Sequence, residues 1–265
     1  MKKRLTLLQM DVHVNDVEYN YNRVQELLTQ SLTENPDIIV LPETWNTGFH
    51  PSDDLITIAD RNGGERTKSL LTAFAKEHNV NIIGGSVAVA KDDLVFNTSY
   101  AYNREGALVG EYSKMHGFSP AKEDKYFASG THTTHFELDG IPCSTVICYD
   151  IRFPELVRMA ALPGTELLFV PAQWPTMRLR HWQVLNEVRA IENQLFLCAV
   201  NGCGTIGRVQ STGHSAVYDP WGGTNLLEMD TNEGIASVDI DLTVVEDIRN
   251  KINIFRDRKP ELYNL

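Results

Sequence analysis

"STVICYDIRFPELVRMAALPGTELLFVPA" (residues 144–172) is the stretch that decides the fold. Two apolar runs, 144–150 and 166–172, flank a segment that opens with Pro154 and Glu155. Proline suits a first helical turn, where its missing N–H is no loss, and a carboxylate there complements the helix dipole. The runs are apolar almost throughout rather than alternating, the pattern of strands covered on both faces. Outward from this unit the same run recurs in "LTLLQM" (5–10), "DIIVLPE" (37–43) and "VNIIGGSVAVA" (80–90). Helical stripes lie between: Val17, Tyr21, Val24, Leu28 and Leu32, then Leu70, Leu71 and Phe74. A third follows at Trp182, Leu185, Val188, Ile191 and Leu195. A second kind of strand forms hairpins, one around "NREG" in 94–115 and one around "DG" in 134–150. More strands follow residue 195. No stretch has a linker's composition, so a single domain over 1–265 is expected, a layered α/β fold of mixed sheets with helices outside.

Composition narrows the function. At 42% hydrophobic and 22% charged, the 265 residues suffice for a full-sized core. A net charge of −11 with only isolated basic pairs gives nucleic acid and anionic membrane surfaces no footing. The basic start "MKKRLTLLQMDVHV" is interrupted by Gln9 and Asp11, too early for a signal peptide, and no run is long enough to span a bilayer. Cys143, Cys148, Cys198 and Cys203 form no CxxC pair and no zinc spacing. Reduced thiols in a cytoplasmic protein are therefore expected, with neither metal nor cofactor.

Sites in open α/β sheets collect at the carboxyl ends of strands. Glu43 and Cys148 end two apolar runs, and Lys114 sits just past a hairpin strand. A cysteine attacks a carbonyl as thiolate and so needs a base or a cation beside it. His116 and His214 are the nearest histidines, but neither sits in a motif that marks a base. A carboxylate in a dry pocket, Glu43, serves instead, with Lys114 and a backbone N–H after Cys148 for the oxyanion. Each residue also has an ordinary reading: Cys148 as a core thiol, Glu43 as a strand-end charge, Lys114 as a solvated ammonium, Arg152 as half of a structural ion pair.

Taken together, "LPETWNTGF" (41–49), "YSKMHGFSP" (112–120) and "CYDIRFPE" (148–155) resemble the carbon–nitrogen hydrolase (nitrilase) superfamily. The resemblance runs through "HWQVLNEVRAIENQ" (181–194) and "GHSAVYDPWG" (213–222), and so over nearly the whole chain. It implies a four-layer α-β-β-α sandwich, with Glu43 as general base, Lys114 stabilising the oxyanion, Cys148 forming a thioester and Glu123 in support. Tyr149–Asp150 after the cysteine is similar to the amidase branches rather than to true nitrilases, which carry Trp–Glu there. "KMHGFSP", "PAQWPTMR" and "HW" most resemble the omega-amidase group, which removes ammonia from 2-oxoglutaramate and related ω-amides. Homodimers are implied as well. Hydrolysis of N-carbamoyl amino acids or nitriles, a silent binding protein and a cysteine redox sensor are the competing readings. An ω-amide acid carries a far carboxylate, for which Arg178 is better placed than Arg180, while Trp174, Phe118 and Tyr149 line the substrate.

Overall fold

The computed structural model describes residues 1–206, 209–222 and 225–263. Strands β1 (Lys2–Gln9), β2 (Ile38–Val40), β3 (Asn81–Ile83), β4 (Val87–Lys91), β5 (Leu94–Tyr102) and β6 (Leu108–Ser113) build the first sheet. β7 (Phe136–Leu138), β8 (Ile141–Thr145), β9 (Leu167–Ala172) and β10 (Phe196–Asn201) begin the second. A small ribbon, β11 (Thr205–Ile206) with β12 (Val209–Gln210), follows. β13 (Ala216–Tyr218) and β14 (Asn225–Glu228) complete the second sheet, and β15 (Gly234–Asp241) returns to pair with β1. The orders are β15-β1-β2-β3-β5-β4, with β6 on β5, and β14-β13-β10-β9-β8-β7. β1, β2 and β3 run parallel, as do β8, β9 and β10. The hairpins supply the antiparallel pairs, and Asp139 and Gly140 at one tip both have positive φ, as a type I′ turn demands.

The helices are α1 (Val17–Ser31), α2 (Leu55–Ile58), α3 (Arg61–His78), α4 (Glu123–Tyr126), α5 (Pro154–Ala161), α6 (Leu179–Asn193), α7 (Thr243–Lys251) and α8 (Ile254–Asp257). Side chains of each apolar strand alternate between two cores. Leu5, Leu7, Ile38 and Val40 meet Leu167, Phe169, Cys198 and Val200 between the sheets. Leu8, Ile39 and Leu41 point outward onto Tyr21, Val24 and Leu28 of α1 and Leu71 and Phe74 of α3. Leu168, Val170 and Leu197 do the same beneath Leu156 and Val157 of α5 and Trp182 of α6. The result is the expected four-layer α-β-β-α sandwich, and it explains why these strands show no polar face. At about 1.5–3 kcal/mol per buried large aliphatic side chain, these three cores dominate the stability.

Two expectations are corrected. The run 80–90 is two strands, because Gly84, Gly85 and Ser86 turn against the segment after β2. Ser86 N donates to Pro42 O at 3.0 Å and Trp45 N to Ser86 O at 3.1 Å, so this turn fixes the backbone on either side of Glu43. Gly85 has φ +60°, and a Cβ there would sit 2.0 Å from Pro42 O. Gly85→Ala should therefore cost more than about 2 kcal/mol in a denaturation experiment. A midpoint indistinguishable from that of the parent would show that the close approach constrains nothing. The second correction concerns α6. Val188 and Ile191 are 39% and 40% exposed, and its buried face is Trp182, Asn186, Arg189, Ala190 and Asn193. Arg189 is buried because its Nε donates to Ile151 O at 3.0 Å, holding the turn that carries Cys148. A polar task replaces the apolar stripe there.

Candidate active site

Glu43 leaves β2, Lys114 leaves β6, Cys148 leaves β8 and Gln173 leaves β9, so four strand ends from both sheets meet at one place. Glu43 and Glu123 are fully buried, Lys114 is 3% exposed and Cys148 8%. Lys114 Nζ donates to Glu43 Oε1 at 2.8 Å and to both oxygens of Glu123 at 2.9 Å. Burial alone would lower the lysine pKa, but Glu123 and Glu43 outweigh it and hold the ammonium charged well beyond its usual range. Glu123 opens α4, and its own pKa is raised by burial against the pull of Lys114. Phe118 N donates to Glu123 Oε2 at 2.7 Å and so closes the loop between them.

Two residues that sequence reasoning missed hold the carboxylates. Asn97, on β5, donates from Nδ2 to Glu43 Oε1 at 2.9 Å and to Glu123 Oε1 at 3.2 Å. Its signal was faint, an amide within an otherwise strand-like run. Gln173 donates from its backbone N to Glu43 Oε2 at 2.7 Å and from Nε2 to Glu43 O at 3.0 Å. Glu43 is thus fixed at both side-chain oxygens and at its main chain, a preorganised acceptor.

Cys148 has φ +48°, a strained value for a residue with a side chain. The fully buried Asp150 holds it there: Ile147 N donates to Asp150 Oδ2 at 3.0 Å, and Asp150 N to Ile147 O at 3.0 Å. Tyr112 Oη donates to the same carboxylate at 2.7 Å. Burial, then Glu43, push the thiol well above its usual pKa, and Lys114 opposes them. The resting sulfur is consequently a thiol beside a carboxylate, an arrangement that needs a base to attack. His116 is bound to Asp150 at 2.8 Å and stacked on Phe153, while His214 is bound to Glu228 at 3.0 Å. Neither lines the cavity.

That cavity, of about 280 Å³, is lined by Phe49, Phe118, Tyr149 and Trp174 together with Cys148, Lys114, Arg152 and Arg178. All four residues expected to line the substrate are therefore there. Arg180, by contrast, is exposed. Arg152 was missed: no acid pairs with it among the described residues, contrary to the ion-pair reading, and its Nη2 meets His181 Nδ1 at 3.2 Å. Among the described residues no group of three or more His, Cys, Asp or Glu could hold a metal ion.

A family profile described as carbon-nitrogen hydrolase matches residues 4–250. The chain belongs to the carbon-nitrogen hydrolase family. This carbon-nitrogen hydrolase is 40% identical over 263 residues to a 2-oxoglutaramate amidase of Bacillus subtilis, covering 99% of this chain and 100% of that one. It is 30% identical over 269 residues to omega-amidase NIT2 of Homo sapiens, covering 98% and 96%. Among solved structures, a CN-hydrolase superfamily protein of Xanthomonas campestris with an arsenic adduct in its active site aligns with a TM-score of 0.88. That match has 29% identity and covers 98% of each chain.

Proposed function

We propose that this carbon-nitrogen hydrolase is a thiol amidohydrolase that releases ammonia from the ω-amide of a small dicarboxylate monoamide, such as 2-oxoglutaramate or 2-oxosuccinamate. The observation that carries the reading is one cavity lined by Cys148, by Lys114 with the buried Glu43 bonded to it, and by an arginine, Arg178, that no carboxylate meets among the described residues. The family and the amidase names of its relatives support it.

In this mechanism Glu43 takes the proton of Cys148 as the sulfur attacks the amide carbonyl. Lys114 stabilises the oxyanion that forms. Collapse breaks the C–N bond, and the protonated Glu43 gives its proton to the leaving nitrogen, so ammonia departs and a thioester remains. Glu43 then takes a proton from water, whose oxygen attacks the thioester. The acid is released, and the proton returns to sulfur. Glu123 keeps Lys114 charged and directed. The single unit spans 1–265. We also propose a reducing, cytoplasmic setting, supported by four free cysteines, and a homodimer, supported by the exposed Met159, Leu162, Val188 and Ile191.

Ammonia release measured across short ω-amides, N-carbamoyl amino acids and nitriles tests the reading. The ω-amide acids should be turned over fastest, and a preference for nitriles or N-carbamoyl compounds would reject it. Arg178 sits with its guanidinium 4.9 Å from the Phe118 ring and would clamp the far carboxylate. Arg178→Met should lower kcat/KM for an ω-amide acid by about 2–3 kcal/mol in barrier terms and leave its neutral ester unchanged. Equal losses on acid and ester, or none, would remove Arg178 from specificity.

A further inference from the structure

Two fully buried carboxylates, Glu43 and Glu123, share a single ammonium, Lys114. Two negative charges against one positive, away from bulk water, ordinarily keep a proton on one of the acids. The pKa of Glu123 is raised accordingly, by burial first, with Lys114 opposing and Glu43 adding to it. Among the described residues the other ionisable group that faces this cluster is the Cys148 thiol, from the end of β8. A base at Glu43 requires that neither acid hold that proton. One neutral side chain donates to both of them among the described residues: Asn97 of β5, to Glu43 Oε1 at 2.9 Å and Glu123 Oε1 at 3.2 Å. Asn97 is 1% exposed, and its Oδ1 is buried with no hydrogen-bond partner among the described residues. A buried acceptor left unpaired costs stability, yet turning the amide over would aim that oxygen at two carboxylates. The side chain is therefore oriented for the acids rather than for its own satisfaction. Its main chain has a separate task, since Asn97 O accepts from Lys114 N at 2.9 Å, a bond that a side-chain substitution leaves in place.

We propose that Asn97 is a positioning residue for the proton transfer: its amide keeps Glu43 and Glu123 ionised together around one Lys114 and leaves the second oxygen of Glu43 for the proton of Cys148. The proposal rests on the amidase reading above and deepens it. The donors are shared unevenly between the two oxygens of Glu43. Oε1 takes Lys114 Nζ at 2.8 Å and Asn97 Nδ2 at 2.9 Å, whereas Oε2 takes only the backbone N of Gln173, at 2.7 Å. Gln173 and Cys148 both line the cavity and Asn97 does not, so Oε2 is the oxygen on the cavity side and the one with capacity to spare. When the S–H bond breaks, the new O–H bond forms there, and Oε1 stays bonded to its two donors. A neutral donor suits this task because it favours the ionised form of both acids without adding a charge for the oxyanion to meet.

The test follows ammonia release from 2-oxoglutaramate, whose carboxyl stays ionised throughout, between about pH 5 and 10 for the parent, Asn97→Leu and Asn97→Asp. Activity is lost as the pH falls and the acid pair takes up a proton. Removing a donor that favours the ionised pair must therefore move this acid limb upward. Asn97→Leu should raise the acid limb of kcat/KM by at least about one pH unit. Its loss should be about tenfold or more on the parent's limb and only about threefold on the alkaline plateau, where the pair is ionised without help. Asn97→Asp, which sets a third acid in place of the donor, should move the limb at least as far. A merely structural role predicts the same loss at every pH. Parallel profiles, an unchanged limb, or a limb moved downward in either variant overturn the proposal and leave the amidase reading standing. A parent that releases no ammonia from any amide overturns that reading and the proposal with it. If Asn97→Leu does not fold, Asn97→Ser, with a side chain too short to bridge the two acids, carries the decision by the same limb.

Discussion

Cys148→Ala should release no ammonia above background from any amide, while its thermal midpoint stays within about 2 °C of the parent's. The two halves of this result have separate causes. Chemistry stops because the covalent step has no other thiol: Cys143 and Cys198 are buried within the sandwich with their thiols pushed well above the usual pKa, and Cys203 does not line the cavity. The fold persists because one sulfur atom is lost from a residue bordering a cavity, where few packing contacts go with it. The positive φ of Cys148 disfavours alanine no more than cysteine, so the strained turn gains no new penalty. Ammonia release by the variant, or its unfolding, would show that another group is the nucleophile.

Glu43→Gln should lower kcat by about 10²–10⁴-fold with a much smaller change in KM, since it removes proton transfer and little of the binding surface. The glutamine can still accept from Lys114 and Asn97 through its carbonyl oxygen, but its amide would face the backbone N–H of Gln173, now donor against donor. Lys114→Met should lose a similar factor through the oxyanion. It also strands two buried carboxylates without their cation, a situation costing several kcal/mol, so its midpoint should fall as well. Lys114→Met with Glu123→Gln separates the effects. Relieving one charge should recover stability and leave kcat low. Recovery of kcat together with stability would reduce Lys114 to a structural counter-ion, and near-parental kcat in Glu43→Gln would end its role as base.

How much of this was legible beforehand follows from which contacts are local. The sandwich could be read because a strand covered on both faces must be apolar at every position, and Leu167, Leu168, Phe169 and Val170 satisfy that within four residues. Glu43 and Cys148 stand at the ends of such runs and Lys114 just past a hairpin strand, where a chemistry-bearing side chain is conspicuous against its neighbours. Glu123, Tyr149, Trp174, Phe118 and Arg178 could be placed from short motifs, and all of them meet at the cavity or directly behind it. The break at Gly85 and the polar face of α6 could not be read. Each answers to a backbone carbonyl in another element, Pro42 O for one and Ile151 O for the other.

The sequence by itself determined which segments become strands, because burial on one or two faces leaves a period that needs no partner to be recognised. Tertiary structure alone decided what surrounds the reactive groups. Asn97 reaches Glu43 across 54 positions and Gln173 across 130, and nothing local distinguishes either from an ordinary polar residue. Arg152 came to rest against Trp174, with no acid paired to it among the described residues, only through the fold. A buried polar side chain takes its partners from whichever strand ends adjoin it, and that adjacency is set by the stacking of two sheets rather than by the pattern along either one.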